Sequence, residues 1–162
     1  MKKKEKILLY GSNLWFLGAG MLGPLFAVFA EKIGGNILDI SFAYAVYMLV
    51  TGVFTIFIGR LSDLKISKEK LMVTGFFLNA IFTFAYIFVS APVHLFLVQI
   101  GFGLSLSLSI PTWDALYAKY HDKRSPGYSW GLAAGQGYVI SGLAVIIGGI
   151  IVYYLSFDIL FG

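Results

Sequence analysis

Residues 71–113 read LMVTGFFLNAIFTFAYIFVSAPVHLFLVQIGFGLSLSLSIPTW, 43 consecutive positions without Asp, Glu, Lys or Arg. A helix needs only ~20 mainly apolar residues to cross a bilayer, so a run of this length holds two crossings. Ser90-Ala91-Pro92 supplies the break between them, because proline lacks an amide proton and biases the residue before it away from helical geometry. The stretch therefore predicts one helix over Leu71–Ser90 and another over Val93–Ala118. Leu104 to Ser109 alternates Leu and Ser with the period of a strand. A lone strand would leave its backbone groups unpaired in lipid, so a helix is expected there as well.

Outward from this stretch, each flank repeats the same pattern. Arg60, Lys65, Lys68 and Lys70 lie before it, preceded by the apolar run Ile40–Gly59. Lys119, Lys123 and Arg124 lie after it, followed by Ser129–Tyr154. A further run, Ile7–Ala30, follows Lys2, Lys3, Lys4 and Lys6; its 24 uncharged residues exceed the roughly 7–15 of a signal-peptide core, so it is kept as a span. Glu31, Lys32, Gly34, Gly35 and Asp39 separate the first two runs. The expected fold is thus all-α and integral to the membrane, one domain over residues 1–162 with five transmembrane helices at 7–30, 40–59, 71–90, 93–118 and 129–154. Tyr153 and Tyr154 suit an interfacial aromatic belt.

Eleven of the twelve Lys and Arg residues fall in alternate loops, and Lys32 alone falls on the other side. Because loops retained in the cytoplasm carry the Lys/Arg excess, this asymmetry predicts a cytoplasmic N-terminus in a plasma (inner) membrane. Five crossings then put the tail Leu155–Gly162 outside. The formal charge of +4 does not point to nucleic acid, since the basic residues sit in short separate loops and form no continuous face. At 59% hydrophobic and 12% charged, with a mean hydropathy of +0.84, the chain has about half the ~25% charge of a soluble domain. Cysteine is absent, which removes disulfides and thiolate ligands, and the two histidines have no metal-ligand spacing. Neither metal nor cofactor is implied. Paired carboxylates and a nucleophile beside a base are also lacking, so an enzyme is not expected.

The loop Gly59-Arg60-Leu61-Ser62-Asp63-Leu64-Lys65-Ile66-Ser67-Lys68 resembles the signature loop between helices two and three of the major facilitator superfamily. Gly59, Leu61, Ser62, Asp63 and Lys68 fit the pattern, whereas Leu64, Ile66 and Ser67 replace its usual Arg, Gly and base. The expected physics is a Gly that permits close helix approach and an Asp63 favoured at the N-terminus of the third helix. Gln99-Ile100-Gly101-Phe102-Gly103 is similar to a second family pattern, and Pro111 to Gly131 looks like its passage from helix four to helix five. Leu97 stands where the family carries an arginine associated with proton coupling, so the likeness does not extend to that coupling. The resemblance implies a secondary or facilitative transporter that moves a small solute by alternating access between two six-helix halves. This chain covers most of an N-terminal half, and its expected partners are the lipid bilayer, a solute of unknown identity and a missing C-terminal half or its equivalent. The alternative is a non-transporting membrane scaffold or a truncated fragment.

Helical geometry gathers candidate residues into stripes. Gln99, Gly103, Ser107, Pro111 and Asp114 fall within about 120° on the fourth helix, and Tyr10, Asn13, Gly20 and Pro24 within about 80° on the first. The family likeness implies that these two helices line a cavity, making Tyr10, Asn13, Gln99, Ser107 and Asp114 candidates for facing solute. Interhelical hydrogen bonding by Asn13 and Gln99 is the competing role. Asp114 is expected to pair with Arg60 or Lys123 near the inner surface, with a proton-relay role as the alternative. Gly131, Gly135, Gly142 and Gly149 share about 40° of the fifth helix, and Ala45, Gly52 and Gly59 make a similar seam on the second. Small residues let helices approach closely, and the family likeness implies that these seams meet the other half; packing wholly within the five helices is the alternative.

Overall fold

The computed structural model describes residues 3–64 and 66–161. Met1, Lys2, Lys65 and Gly162 lie outside the described residues, among them two of the basic residues that mark the loops. Seven helices are described: α1 (Lys3–Leu22), α2 (Phe26–Lys32), α3 (Ile37–Ser62), α4 (Lys68–Ala85), α5 (Pro92–Tyr120), α6 (Pro126–Tyr154) and α7 (Phe157–Phe161). A single 3-10 turn at Gly23–Leu25 joins α1 to α2, so Lys3–Lys32 makes one crossing; α3, α4 with the turn Tyr86–Phe88, α5 and α6 make the other four. Among the described residues there is no strand, and Leu104 to Ser109 is helical. Such continuity is what a bilayer requires, since nothing but the chain itself can satisfy the backbone there.

The ends of these helices are set by local chemistry. After α2, Gly34 takes φ +85°, a left-handed geometry that residues with a Cβ resist. It lets the Gly34 N–H donate to the Glu31 carbonyl at 3.0 Å and the Gly35 N–H to that of Ala30 at 2.9 Å, closing the helix in a Schellman arrangement. Two residues on, Asn36 caps α3: its Oδ1 accepts from the Leu38 and Asp39 N–H groups at 2.8 and 3.1 Å, while Asp39 Oδ2 accepts from the Asn36 N–H at 2.9 Å. Such a box stabilises a helix start by about 1 kcal/mol. Between the third and fourth crossings the helix tightens at Tyr86–Phe88, Val89 turns extended, and Pro92 opens α5.

The chain forms two compact units, Met1–Phe26 with Tyr117–Leu160 and Ala27–Leu116 with Phe161–Gly162. In the first, α1 and α6 touch through small residues. A Cβ on Gly20 would stand 2.9 Å from the Ser141 Cα and 2.8 Å from the Ala144 Cβ, one on Gly137 would stand 2.7 Å from the Phe16 ring, and one on Gly148 would stand 2.9 Å from the Met21 Cα. Contacts ascend together along both helices, so the first and fifth crossings run parallel. The three crossings in between require that.

In the second unit α5 is the packing centre. A Cβ on Gly103 would stand 2.9 Å from the Tyr47 carbonyl oxygen of α3, and one on Gly75 of α4 would stand 2.6 Å from that of Ser105. Gly101 lies directly under the Phe82 ring of α4. Buried Ser105, Ser109 and Thr112 turn their hydroxyls onto carbonyls of their own helix at 2.7, 3.1 and 2.6 Å, so polar atoms are satisfied without a partner helix. At the far end of the unit Phe161 sits 5.1 Å from both the Phe29 and Tyr86 rings, and Tyr86 also meets Phe102 at 5.6 Å. Large apolar side chains such as Ile37, Met48, Ile56, Phe57 and Phe77 remain exposed, as a lipid-facing surface needs.

Candidate functional site

The loop between α3 and α4 is tied down by one lysine. Lys68, the first residue of α4, reaches back to donate to the Ser62 carbonyl and pairs with Asp63 Oδ1 at 3.1 Å. A cation at a helix N-terminus is unfavourable, and one at a C-terminus favourable; by folding back, Lys68 trades its own helix's positive end for the negative end of α3. Asp63 is the C-cap of α3, its N–H donating to the Arg60 carbonyl at 3.3 Å. This corrects the expectation that Asp63 opens the third crossing. That place belongs to Ser67, whose hydroxyl accepts from the Lys70 N–H at 3.3 Å. Gly59 comes within ordinary contact of Pro111 on α5, 3.9 Å for a Cβ placed there, while Arg60 is exposed and Leu61 half-buried.

The two polar stripes fall in different units. On α1, Tyr10 is exposed and Asn13 is half-buried, with its Nδ2 donating to Gln136 Oε1 of α6 at 3.3 Å. The Asn13 Oδ1 is buried and has no hydrogen-bond donor. The sequence offers no means of pairing Asn13 with Gln136, because the two lie 123 positions apart. On α5, Gln99 and Ser107 are buried, and the Ser107 hydroxyl donates to the Leu104 carbonyl at 2.7 Å.

Pro111 lies inside α5 and has no N–H to donate. Asp114 is exposed and, among the described residues, forms no ion pair. The expected pair with Arg60 is not formed among the described residues. Lys123 instead donates to the Ala118 carbonyl at the end of α5, the favourable end of a helix for a cation.

The seam glycines divide sharply. Gly52, Gly131, Gly135, Gly142 and Gly149 would each carry a Cβ with nothing within 4 Å. On α6 the close-packed positions are instead Gly137, Ser141, Ala144 and Gly148, centred about 120° round the helix from the open ones. Among the described residues no group of three His, Cys, Asp or Glu could hold a metal ion.

The connection between α5 and α6 is closed by groups that sequence does not single out. Buried Tyr117 donates its hydroxyl to the Ser129 carbonyl at 2.6 Å, and buried His121 stacks on the Tyr117 ring at 5.8 Å and lies 6.0 Å from that of Trp130.

Five helices long and apolar enough to cross a bilayer, joined by short loops, mark an integral membrane protein. The sequence matches the Major Facilitator Superfamily over residues 8–162, and the chain belongs to that superfamily. It is similar to an uncharacterized MFS-type transporter, MJ1560, of Methanocaldococcus jannaschii, 28% identical over 135 residues that make up 83% of this chain and 35% of the relative. It is also similar to the efflux pump terJ of Aspergillus terreus, 28% identical over 134 residues, 78% of this chain and 26% of that protein. The chain thus spans about a third and a quarter of the length of these relatives.

Proposed function

We propose that this chain is most of the N-terminal half of a secondary or facilitative transporter that carries a small solute across the plasma (inner) membrane by alternating access. Its N-terminus and the 59–68 and 119–126 loops face the cytoplasm, and the tail from Leu155 faces outward. Superfamily membership supplies the class, and the loop charges supply the sidedness. The observation that carries the reading is the open glycine face of α6, where Gly131, Gly135, Gly142 and Gly149 meet nothing within 4 Å. A glycine row lets another helix approach closely, and within its own unit α6 meets α1 on a different face. A C-terminal half, on the same polypeptide or a separate one, is the occupant that a rocking-bundle mechanism requires. Tyr10 and Asn13 on α1, and Gln99, Ser107 and Asp114 on α5, are proposed to face the solute path.

Because the chain has no native cysteine, Gly135→Cys and Gly142→Cys can be cross-linked without background. The expected adducts join these positions to sequence beyond residue 162 or to a second polypeptide. Cross-links confined to the five helices would overturn the assignment of this face to a partner half. Intact cross-links without uptake by the reconstituted protein would favour a scaffold role.

A further inference from the structure

Where α1 begins and α5 ends, two lysines converge on one tyrosine. Lys4 Nζ lies 3.4 Å from the Tyr120 hydroxyl oxygen and 4.8 Å from the ring centroid, and Lys119 Nζ lies 5.4 Å from the same centroid. Among the described residues neither ammonium has a carboxylate within 4.0 Å. The surroundings add more positive charge: Lys3, Lys6, Lys123 and Arg124 are all exposed. Of the two acids in these segments, Glu5 is buried and Asp122 accepts from the Arg124 N–H at 3.0 Å. Two ammonium groups held at one ring repel each other, and an anion seated between them turns that repulsion into attraction. Tyr120 accepts from Lys4, which leaves its own O–H free to donate.

We infer that Lys4, Lys119 and Tyr120 form a clamp for the phosphate of an anionic phospholipid. Two N–H donors and one O–H donor match the non-bridging oxygens of a phosphodiester, and charge-assisted bonds of this kind are the strong ones. A lipid is favoured over free phosphate by what lies next along α1: Ile7 and Leu14 are exposed apolar side chains against which an acyl chain can lie. Basic groups just inside the cytoplasmic surface are also where anionic headgroups concentrate. The inference rests on the proposed placement of these helix ends at the cytoplasmic headgroup layer. It does not require that the protein transport anything.

The test is native mass spectrometry of the full-length protein in neutral detergent, titrated with phosphatidylglycerol or with phosphatidylcholine of the same acyl chains. One phosphatidylglycerol should be retained per protein, and phosphatidylcholine should not. Lys4→Ala/Lys119→Ala should weaken retention at least about tenfold relative to Lys3→Ala/Lys6→Ala, which removes the same charge but spares the clamp. Equal losses in the two double variants would mean diffuse attraction and overturn the clamp; so would equal retention of both lipids, or displacement by millimolar inorganic phosphate. Should the first double variant fail to fold, Tyr120→Phe decides: it keeps every charge, and unchanged retention would overturn the inference. Failure of the sidedness is read separately, by labelling Lys123 from outside intact cells.

Discussion

One face of α6, formed by Gly137, Ser141, Ala144 and Gly148, lies so close to α1 that Cβ atoms added at its two glycines would collide with Phe16 and Met21. The other face, formed by Gly131, Gly135, Gly142 and Gly149, would accept a Cβ at every position without touching anything. Both rows are built of small residues, and both lie on one helix. What separates them is the partner, because glycine permits close approach but does not create it. In lipid, where apolar side chains gain nothing by leaving their solvent, that approach is the main source of helix association. The packed row therefore holds the unit together, and the open row is surplus to it.

The largest expected effect breaks this comparison if it fails. Gly148→Leu forces a side chain into the Met21 backbone, and overpacking of this kind costs typically 1–3 kcal/mol and more where backbone must move, so a loss of about 3 kcal/mol is expected. For the five helices by themselves, Gly135→Leu on the open row should leave stability within about 0.5 kcal/mol. Unfolding of the detergent-solubilised protein by rising sodium dodecyl sulfate measures both. Similar losses at the two positions would mean that the rows are not distinct.

This division also marks how far the sequence can be read. The crossings are legible because a bilayer imposes a length and forbids charge, and Leu71 to Trp113 satisfies both without ambiguity. Family membership is legible in Gly59, Leu61, Ser62, Asp63 and Lys68. Helix faces are another matter: a crossing is apolar all round, so no polar side marks the outside, and regular glycine spacing attracts notice wherever it occurs. Gly131, Gly135, Gly142 and Gly149 form the tidy pattern, yet the row that packs mixes Gly with Ser and Ala. Asp63 shows a second limit. An acid in a short loop suits the start of the next helix, but Lys68 folds back and leaves Asp63 at the end of the previous one. The cap Asn36 with Asp39, by contrast, has the spacing of a box and lay within reach of sequence rules.

A smaller effect sharpens the account of the packed row. Asn13 and Gln136 bond across the same α1–α6 contact at 3.3 Å, and interhelical hydrogen bonds in membranes average about 0.6 kcal/mol, reaching about 1.7. Asn13→Ala should cost about 1 kcal/mol, with a coupling to Gln136→Ala of about 0.6 in a double-mutant cycle. A coupling near zero would remove this bond from the α1–α6 association and leave it to close packing and the Ser141 hydroxyl, which donates to the Phe16 carbonyl at 3.5 Å.

The smallest effect concerns the open row and has the opposite sign. Glycine inside a helix is less stable than alanine by about 0.5–1 kcal/mol, because it has more backbone freedom to lose. Gly142→Ala meets nothing within 4 Å, so for the five helices by themselves it should be neutral or stabilising, by up to about 1 kcal/mol. Against the proposed partner half the same methyl group should hold a facing helix away and lower the cross-linking yield at Gly135→Cys. Alanine would serve the five crossings better than glycine at this position, and under the proposed reading a helix arriving from elsewhere would make glycine the better choice. If Gly142→Ala raised stability and left the cross-links and uptake unchanged, that advantage would vanish, and the row would be no more than a stretch of lipid-facing surface.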